Sequence, residues 1–165
     1  MVIVEAIAVS PEGRITPNCL GIWKDEHVSG FKNVADRIKS QGAVAGIQIA
    51  HARRKASANR PSEGDDHIQP CEEKGWQPIG PSAEAFGAPL PVTPTEMTKA
   101  DIERVKSAFV KDAQSALEAG FAWLELHFAH GYLAPSFCSQ HANTPTDESG
   151  CDEPCRGRFL RNTLR

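Results

Sequence analysis

A chain of 165 residues suffices for one ordinary domain with its own core, and an apolar share of 40% beside a charged share of 24% argues against disorder. The formal net charge of −3 gives no general attraction to nucleic acid or to an anionic membrane. No run of ~18 apolar residues is present to span a bilayer.

The N-terminus, Met1-Val2-Ile3-Val4-Glu5, lacks the basic start and long apolar core of a signal peptide. Val2 to Val9 reads instead as a first strand. A loop follows, marked by Ser10-Pro11-Glu12-Gly13 and Thr16-Pro17-Asn18. Asp25 is placed to cap a helix in which Val28, Phe31, Val34, Ala35 and Ile38 recur at helical spacing, with Gly42 as the stop. Ala43 to Ala50 is the second strand, apolar except for Gln48.

Between about His51 and Met97 lies a long stretch rich in Pro and Gly, without sustained periodicity. Loops of that length inside a domain are functional, disordered or insertions. Thr98 then caps a second helix, with Asp101 as the acid of a capping box. Ile102, Val105, Phe109, Ala113, Ala116 and Leu117 form its apolar stripe, and Gly120 ends it. Phe121 to His127 is the third strand, and Arg158-Phe159-Leu160-Arg161 belongs to a last, amphipathic helix. The five cysteines, Cys19, Cys71, Cys138, Cys151 and Cys155, are odd in number and unevenly spaced. That pattern argues against a disulfide framework and for a reducing, cytoplasmic setting.

Strands that are apolar on both faces belong to parallel sheets, and strands joined through helices follow the βαβ pattern. A doubly wound sheet and a (β/α)8 barrel both satisfy this. One asymmetry favours the barrel. Trp123, Glu125 and His127 share one face of the third strand, and Gly46 and Gln48 one face of the second, while Leu124, Leu126, Ile47 and Ile49 lie opposite. Polar side chains pointing inward near the C-terminal ends of strands are what a barrel active site uses. Three strands do not close a barrel, which takes ~250 residues. The expected fold is therefore α/β, a partial (β/α)8 TIM barrel of three consecutive strand–helix units, with residues 1–165 as one incomplete domain.

The chemistry concentrates in Leu126-His127-Phe128-Ala129-His130-Gly131-Tyr132, at the end of the third strand. Two neutral imidazoles three residues apart donate hydrogen bonds to a carbonyl or phenolate oxygen and stabilise negative charge there. The phenol of Tyr132 adds a hydrogen-bond or proton donor.

Glu125-Leu126-His127-Phe128-Ala129-His130-Gly131-Tyr132-Leu133 resembles the signature of the old yellow enzyme family of FMN-dependent ene-reductases, in its bacterial NADPH dehydrogenase branch. Ile47-Gln48-Ile49-Ala50-His51-Ala52 with Arg54-Lys55-Ala56 resembles the preceding strand of that family. Val4-Glu5-Ala6, Gly13-Arg14-Ile15-Thr16, Leu20-Gly21-Ile22-Trp23 and Gly80-Pro81-Ser82-Ala83 match further segments in the family's order.

The resemblance implies a (β/α)8 barrel with FMN across its C-terminal mouth, reduced by NADPH or NADH, and hydride passing to the β-carbon of an activated alkene. It implies that His127 and His130 bind the electron-withdrawing oxygen of an enone-type small molecule. Gln48 matches the residue that hydrogen-bonds the flavin pyrimidine edge, and Ala6 a small residue whose backbone lies close to the flavin. The family's proton donor is a tyrosine in some branches; Tyr132 is the third catalytic candidate, as donor or as a wall of the pocket. A homo-oligomer is compatible with the resemblance.

The chain departs from the family pattern after His51-Ala52, where Arg53 replaces a glycine that accommodates positive φ or a close backbone approach. Residues 134–165 are divergent. Phe137, Ser139, Asn143, Thr146, Asp147, Glu148, Gly150, Arg156 and Arg158 remain of the family's downstream motif. Pro135, Pro145, Ser149, Cys151, Pro154 and Cys155 replace other members of it. The family's first strand and last four strands, with the loops that hold the FMN phosphate, have no counterpart in these residues. Two other readings follow: a non-catalytic remnant without stable FMN binding, and a zinc protein using His127-x-x-His130, Cys138-x-x-His141 and Cys151-x-x-x-Cys155. The flavoenzyme signature already accounts for the histidine pair, so no metal ligands are assigned.

Overall fold

The computed structural model describes residues 1–144, 150 and 152–163. Strand β1 (Val2–Ala8) runs into a 3-10 turn (Pro11–Gly13), and helix α1 (Asp25–Ser40) leads to strand β2 (Ala45–Ala50). The connection that follows contains the two-residue strands β3 (Ile79–Gly80) and β4 (Thr95–Glu96). Helix α2 (Lys99–Glu118) precedes strand β5 (Trp123–Leu126), and the short helices α3 (Leu133–Cys138), α4 (Glu153–Arg156) and α5 (Arg158–Thr163) complete the order.

β1, β2 and β5 form one parallel sheet in that order. Ile7, Ile47 and Ile49 on its outer face share one core with Phe31 and Ala35 of α1 and with Val105, Phe109 and Ala116 of α2. Both long helices therefore cover the same face. Helices on one face of a parallel sheet with consecutive neighbouring strands are the arrangement of a (β/α)8 barrel, of which this is a part. Among the described residues no helix is long and apolar enough to cross a membrane.

β1 carries a bulge. Val4 pairs with Ile47 but Ile7 pairs with Ile49, so two residues of β1, Glu5 and Ala6, stand opposite the single residue Gln48.

Helix boundaries follow local chemistry. Thr98 and Asp101 close the expected capping box on α2, side chain to backbone in both directions. Asp25 does not cap α1: Lys24 holds that position without a side-chain bond. Asp25 is instead the first helical residue, where its charge suits the positive end of the helix dipole and pairs with Lys111 at 3.2 Å. Gly42, at φ 76°, ends the helix through backbone bonds from Gln41 and Gly42 to Ile38 and Lys39.

Two stripe residues are exposed. Val34 is exposed on α1, and Leu117 is 73% exposed on α2. Val105, Phe109, Asp112, Ala116 and Ala119 form the buried line of α2, which turns Leu117 toward the outer edge of β5. The carboxyl of Asp112 is buried with neither oxygen hydrogen-bonded, and its pKa is raised to about 7 by that burial, against a small opposing pull from Lys111.

The long connection is pinned to the body. Ser57 Oγ donates to Ile68 O and accepts from Trp76 N, both at 2.9 Å. Trp76 Nε1 donates to Glu12 O at 3.0 Å, and the Arg14 guanidinium lies 4.8 Å above the tryptophan ring. Pro135, which replaces a family residue, sits in the first turn of α3, where a backbone N–H has no intrahelical acceptor and its loss costs little. The ring of Phe159 stacks on that of Phe137 at 4.4 Å, tying α5 to α3.

Candidate active site

The strand ends of β2 and β5 bring the predicted residues onto one surface. Gln48 and Glu125 are direct partners across the parallel ladder, and the Gln48 Nε2 group donates to Glu125 Oε1 at 2.7 Å. The ladder extends one step further through a bond from His127 N to Ile49 O of 2.9 Å. His127 thus follows Glu125 on the same face, the face that the helices leave uncovered. Ile3, Gly46 and Trp123 lie below them, Gly46 leaving room for the other two side chains.

After β5 the chain reverses sharply. Tyr132 N donates to Ala129 O at 3.1 Å, and the two residues between, His130 and Gly131, have φ of 56° and 70°. Two positive φ values are the pattern of a type I′ turn. Glycine adopts it freely; histidine does so at a cost of about 1 kcal/mol. Strain of this kind persists where the surrounding structure holds it, and it concentrates at functional sites.

The turn folds three rings together. His127 and His130 stand 4.8 Å apart, centroid to centroid, nearly perpendicular, and His127 and Tyr132 are also 4.8 Å apart. Burial holds the His127 pKa below its usual value, helped by His130 and opposed by Glu125 and Glu5. His127 is therefore a neutral imidazole at neutral pH, able to donate one hydrogen bond. Burial and, less strongly, Cys19 raise the Tyr132 pKa, so the phenol keeps its proton.

Ala6 lies in the bulge of β1 and, with Ala8, Ala50, Ala52 and Tyr132, lines a small hollow at the strand ends. Side chains of one carbon leave a flat floor there. Lys55 forms part of the rim, its Nζ 4.5 Å from the Phe86 ring centroid and 5.8 Å from that of Tyr132. The sequence places Glu125 on the face of His127 by strand alternation, and Lys55 in a basic segment after the second strand. Nothing local signals that Phe86 closes over Lys55.

Arg53 adopts φ 56°, the conformation the family's glycine would take without strain. Its side chain is wholly buried against Gly80, where a Cβ would come within 2.8 Å of Nε. It donates to Ala142 O at 2.9 Å, while Nε and Nη1 are buried without partners. His51, also fully buried, accepts from Arg53 N through Nδ1, and burial holds its pKa at about 4. It is a structural, neutral histidine.

Pro145, Thr146, Asp147, Glu148, Ser149 and Cys151 lie outside the described residues. Among the described residues no three His, Cys, Asp or Glu side chains converge as a metal site would require. Cys19, Cys71 and Cys138 are free thiols, whereas Cys155 is disulfide-bonded, an exception to the sequence expectation for the cysteines.

Known proteins resemble this chain in sequence and fold. The sequence profile of the NADH:flavin oxidoreductase / NADH oxidase family matches residues 1–165. The NADPH dehydrogenase of Bacillus subtilis (strain 168) is 43% identical over 164 residues, covering 99% of this chain and 44% of that protein. That of Geobacillus sp. (strain WCH70) is 46% identical over 160 residues, covering 97% and 42%. Among solved structures, a morphinone reductase superposes with a TM-score of 0.80 at 27% identity, covering 98% of this chain and 44% of that one. Histamine dehydrogenase from Rhizobium sp. 4-9 gives 0.78 at 29% identity, covering 99% and 24%. The chain spans less than half the length of these curated relatives. With the profile matched along all of its residues, the chain belongs to the NADH:flavin oxidoreductase / NADH oxidase family.

Proposed function

We propose that residues 1–165 form a single incomplete barrel domain carrying the flavin- and substrate-facing wall of an FMN-dependent NADPH dehydrogenase that reduces the C=C bond of α,β-unsaturated carbonyl compounds. The observation that carries the reading is the ring cluster of His127, His130 and Tyr132, held by a strained turn at the end of a barrel strand.

The residues present fit a flavin. Gln48 presents an amide, both donor and acceptor, to the uncovered face, which matches the alternating groups of a pyrimidine edge. Ala6, half-buried with a single methyl for a side chain, stands beside the hollow at the strand ends. FMN, reduced by NADPH or NADH, supplies the hydride for the β-carbon.

The chain's own residues do the rest. His127 and His130 donate hydrogen bonds to the carbonyl oxygen of the enone, where negative charge grows as hydride arrives. His127 suits the task because it is neutral, so the pair avoids placing two cations side by side. Tyr132, protonated and packed on His127, limits the pocket and holds a proton beside the histidine pair. The family's small-molecule chemistry and the bacterial relatives support a cytoplasmic enzyme.

The test is FMN titration followed by NADPH consumption with 2-cyclohexenone. Saturable flavin-fluorescence quenching and enone-dependent turnover are expected, with turnover reduced at least about tenfold in His127→Ala. Absence of quenching at high protein concentration favours the second reading, a remnant without stable FMN binding. The bare apolar surface at β5, with Trp123 52% exposed, is the observation on that side.

A further inference from the structure

The Gln48–Glu125 pair has a directional consequence. Gln48 stands beside Glu125 in register, with Nε2 2.7 Å from Glu125 Oε1. An ionised carboxylate accepts hydrogen bonds and donates none, so only the NH2 end of the amide is stable against it. The carbonyl end of Gln48 is thereby turned the other way, and no described residue donates to it. A glutamine without such a neighbour would present either end, because its two orientations differ little in shape.

We propose that Glu125 is a positioning residue, which fixes the Gln48 amide so that the site offers a carbonyl acceptor to a flavin ring N–H. This rests on the FMN reading above. The second Nε2 proton stays available for a ring carbonyl beside that N–H, giving a paired contact in one orientation only. The bulge of β1 sets two residues, Glu5 and Ala6, opposite Gln48. Glu125 also acts electrostatically on His127, two residues further along the same face, so one carboxylate influences both residues.

The experiment uses the whole chain and two readouts. In the first, the side-chain NH2 resonances of Gln48 are compared by NMR in the wild type and in Glu125→Gln, of the same shape, without flavin. The wild type is expected to show one NH2 proton shifted downfield by its bond to the carboxylate, and Glu125→Gln is expected to lose that shift. In the second, FMN is titrated into the wild type, Glu125→Gln and Glu125→Asp, reading fluorescence and the flavin absorption spectrum. Glu125→Gln is expected to weaken FMN binding about tenfold, the effect of one misdirected hydrogen bond, and to alter the bound spectrum. Glu125→Asp, which keeps the charge, is expected to recover part of the loss.

Gln48 resonances that are the same in the wild type and in Glu125→Gln, or a Glu125→Gln variant that binds FMN as the wild type does, overturn the proposal and leave the flavin reading standing. A wild type that binds no FMN overturns the flavin reading, and the proposal with it.

Discussion

β2 and β5 have almost the same apolar content but different surroundings. Every residue of β2 is buried, flanked by a strand on each side and covered by helices on its outer face. β5 has a partner on one side only, and Trp123 and Leu124 are 52% and 39% exposed. The comparison separates two jobs. The central strand holds the fold together, and β5 carries the reactive motif at its end. Burial in a parallel sheet is a property of neighbours, not of a strand's own letters.

The largest expected effect breaks this contrast from the central side. Ile47→Ala in β2 should cost about 3 kcal/mol in a denaturant melt, the usual loss for a buried isoleucine. Leu124→Ser in β5 should cost well under ~1 kcal/mol, as partly exposed positions do. Equal losses would mean that β5 is as well packed as β2.

Asp112 sharpens the contrast within the helical layer. Its pKa is raised from 3.8 to about 7 in the folded state, so the folded chain holds a proton there that the unfolded chain gives up. Stability from that proton is fully present below pH 4 and is lost as pH rises through about 7. Asp112→Asn should therefore stabilise by about 2 kcal/mol at pH 7.5, with no gain at pH 3.5. Parallel melts at the two pH values decide it; a uniform shift would sink the explanation.

His130 tests whether the edge trades stability for chemistry. His130→Gly relieves the positive φ and should raise the unfolding free energy by about 0.5–1 kcal/mol. The same change should weaken turnover of 2-cyclohexenone about tenfold by removing a hydrogen-bond donor. A variant that loses both stability and turnover would show that the histidine ring packs rather than binds.

What was legible in the sequence followed the range of the interactions. The capping box of Thr98 and Asp101 is a contact across one turn and reads directly. The motif from His127 to Tyr132 reads because a strand, a tight turn and three rings lie in one short segment. Asp25 was misplaced by one residue because an acid serves almost equally well as a cap and in the first turn. Leu117 was placed inside and Asp112 went unnoticed for a shared reason: hydrophobicity alone set the stripe, and tertiary packing rotated it. β3 and β4, two residues each, have no period to detect. The burial of Arg53 was hidden because it depends on Gly80 and Ala142, both distant in the chain.

The bulge in β1 also governs how this strand tolerates changes of length. Removing one residue from a buried parallel strand normally inverts every later side chain and ruins the core. Here the loss of Glu5 alone would bring Val4, Ala6 and Ile7 into unbroken register with Ile47, Gln48 and Ile49, with every core residue still facing inward. The bulge is thus a place where β1 can lose one residue while the register on either side of it is kept.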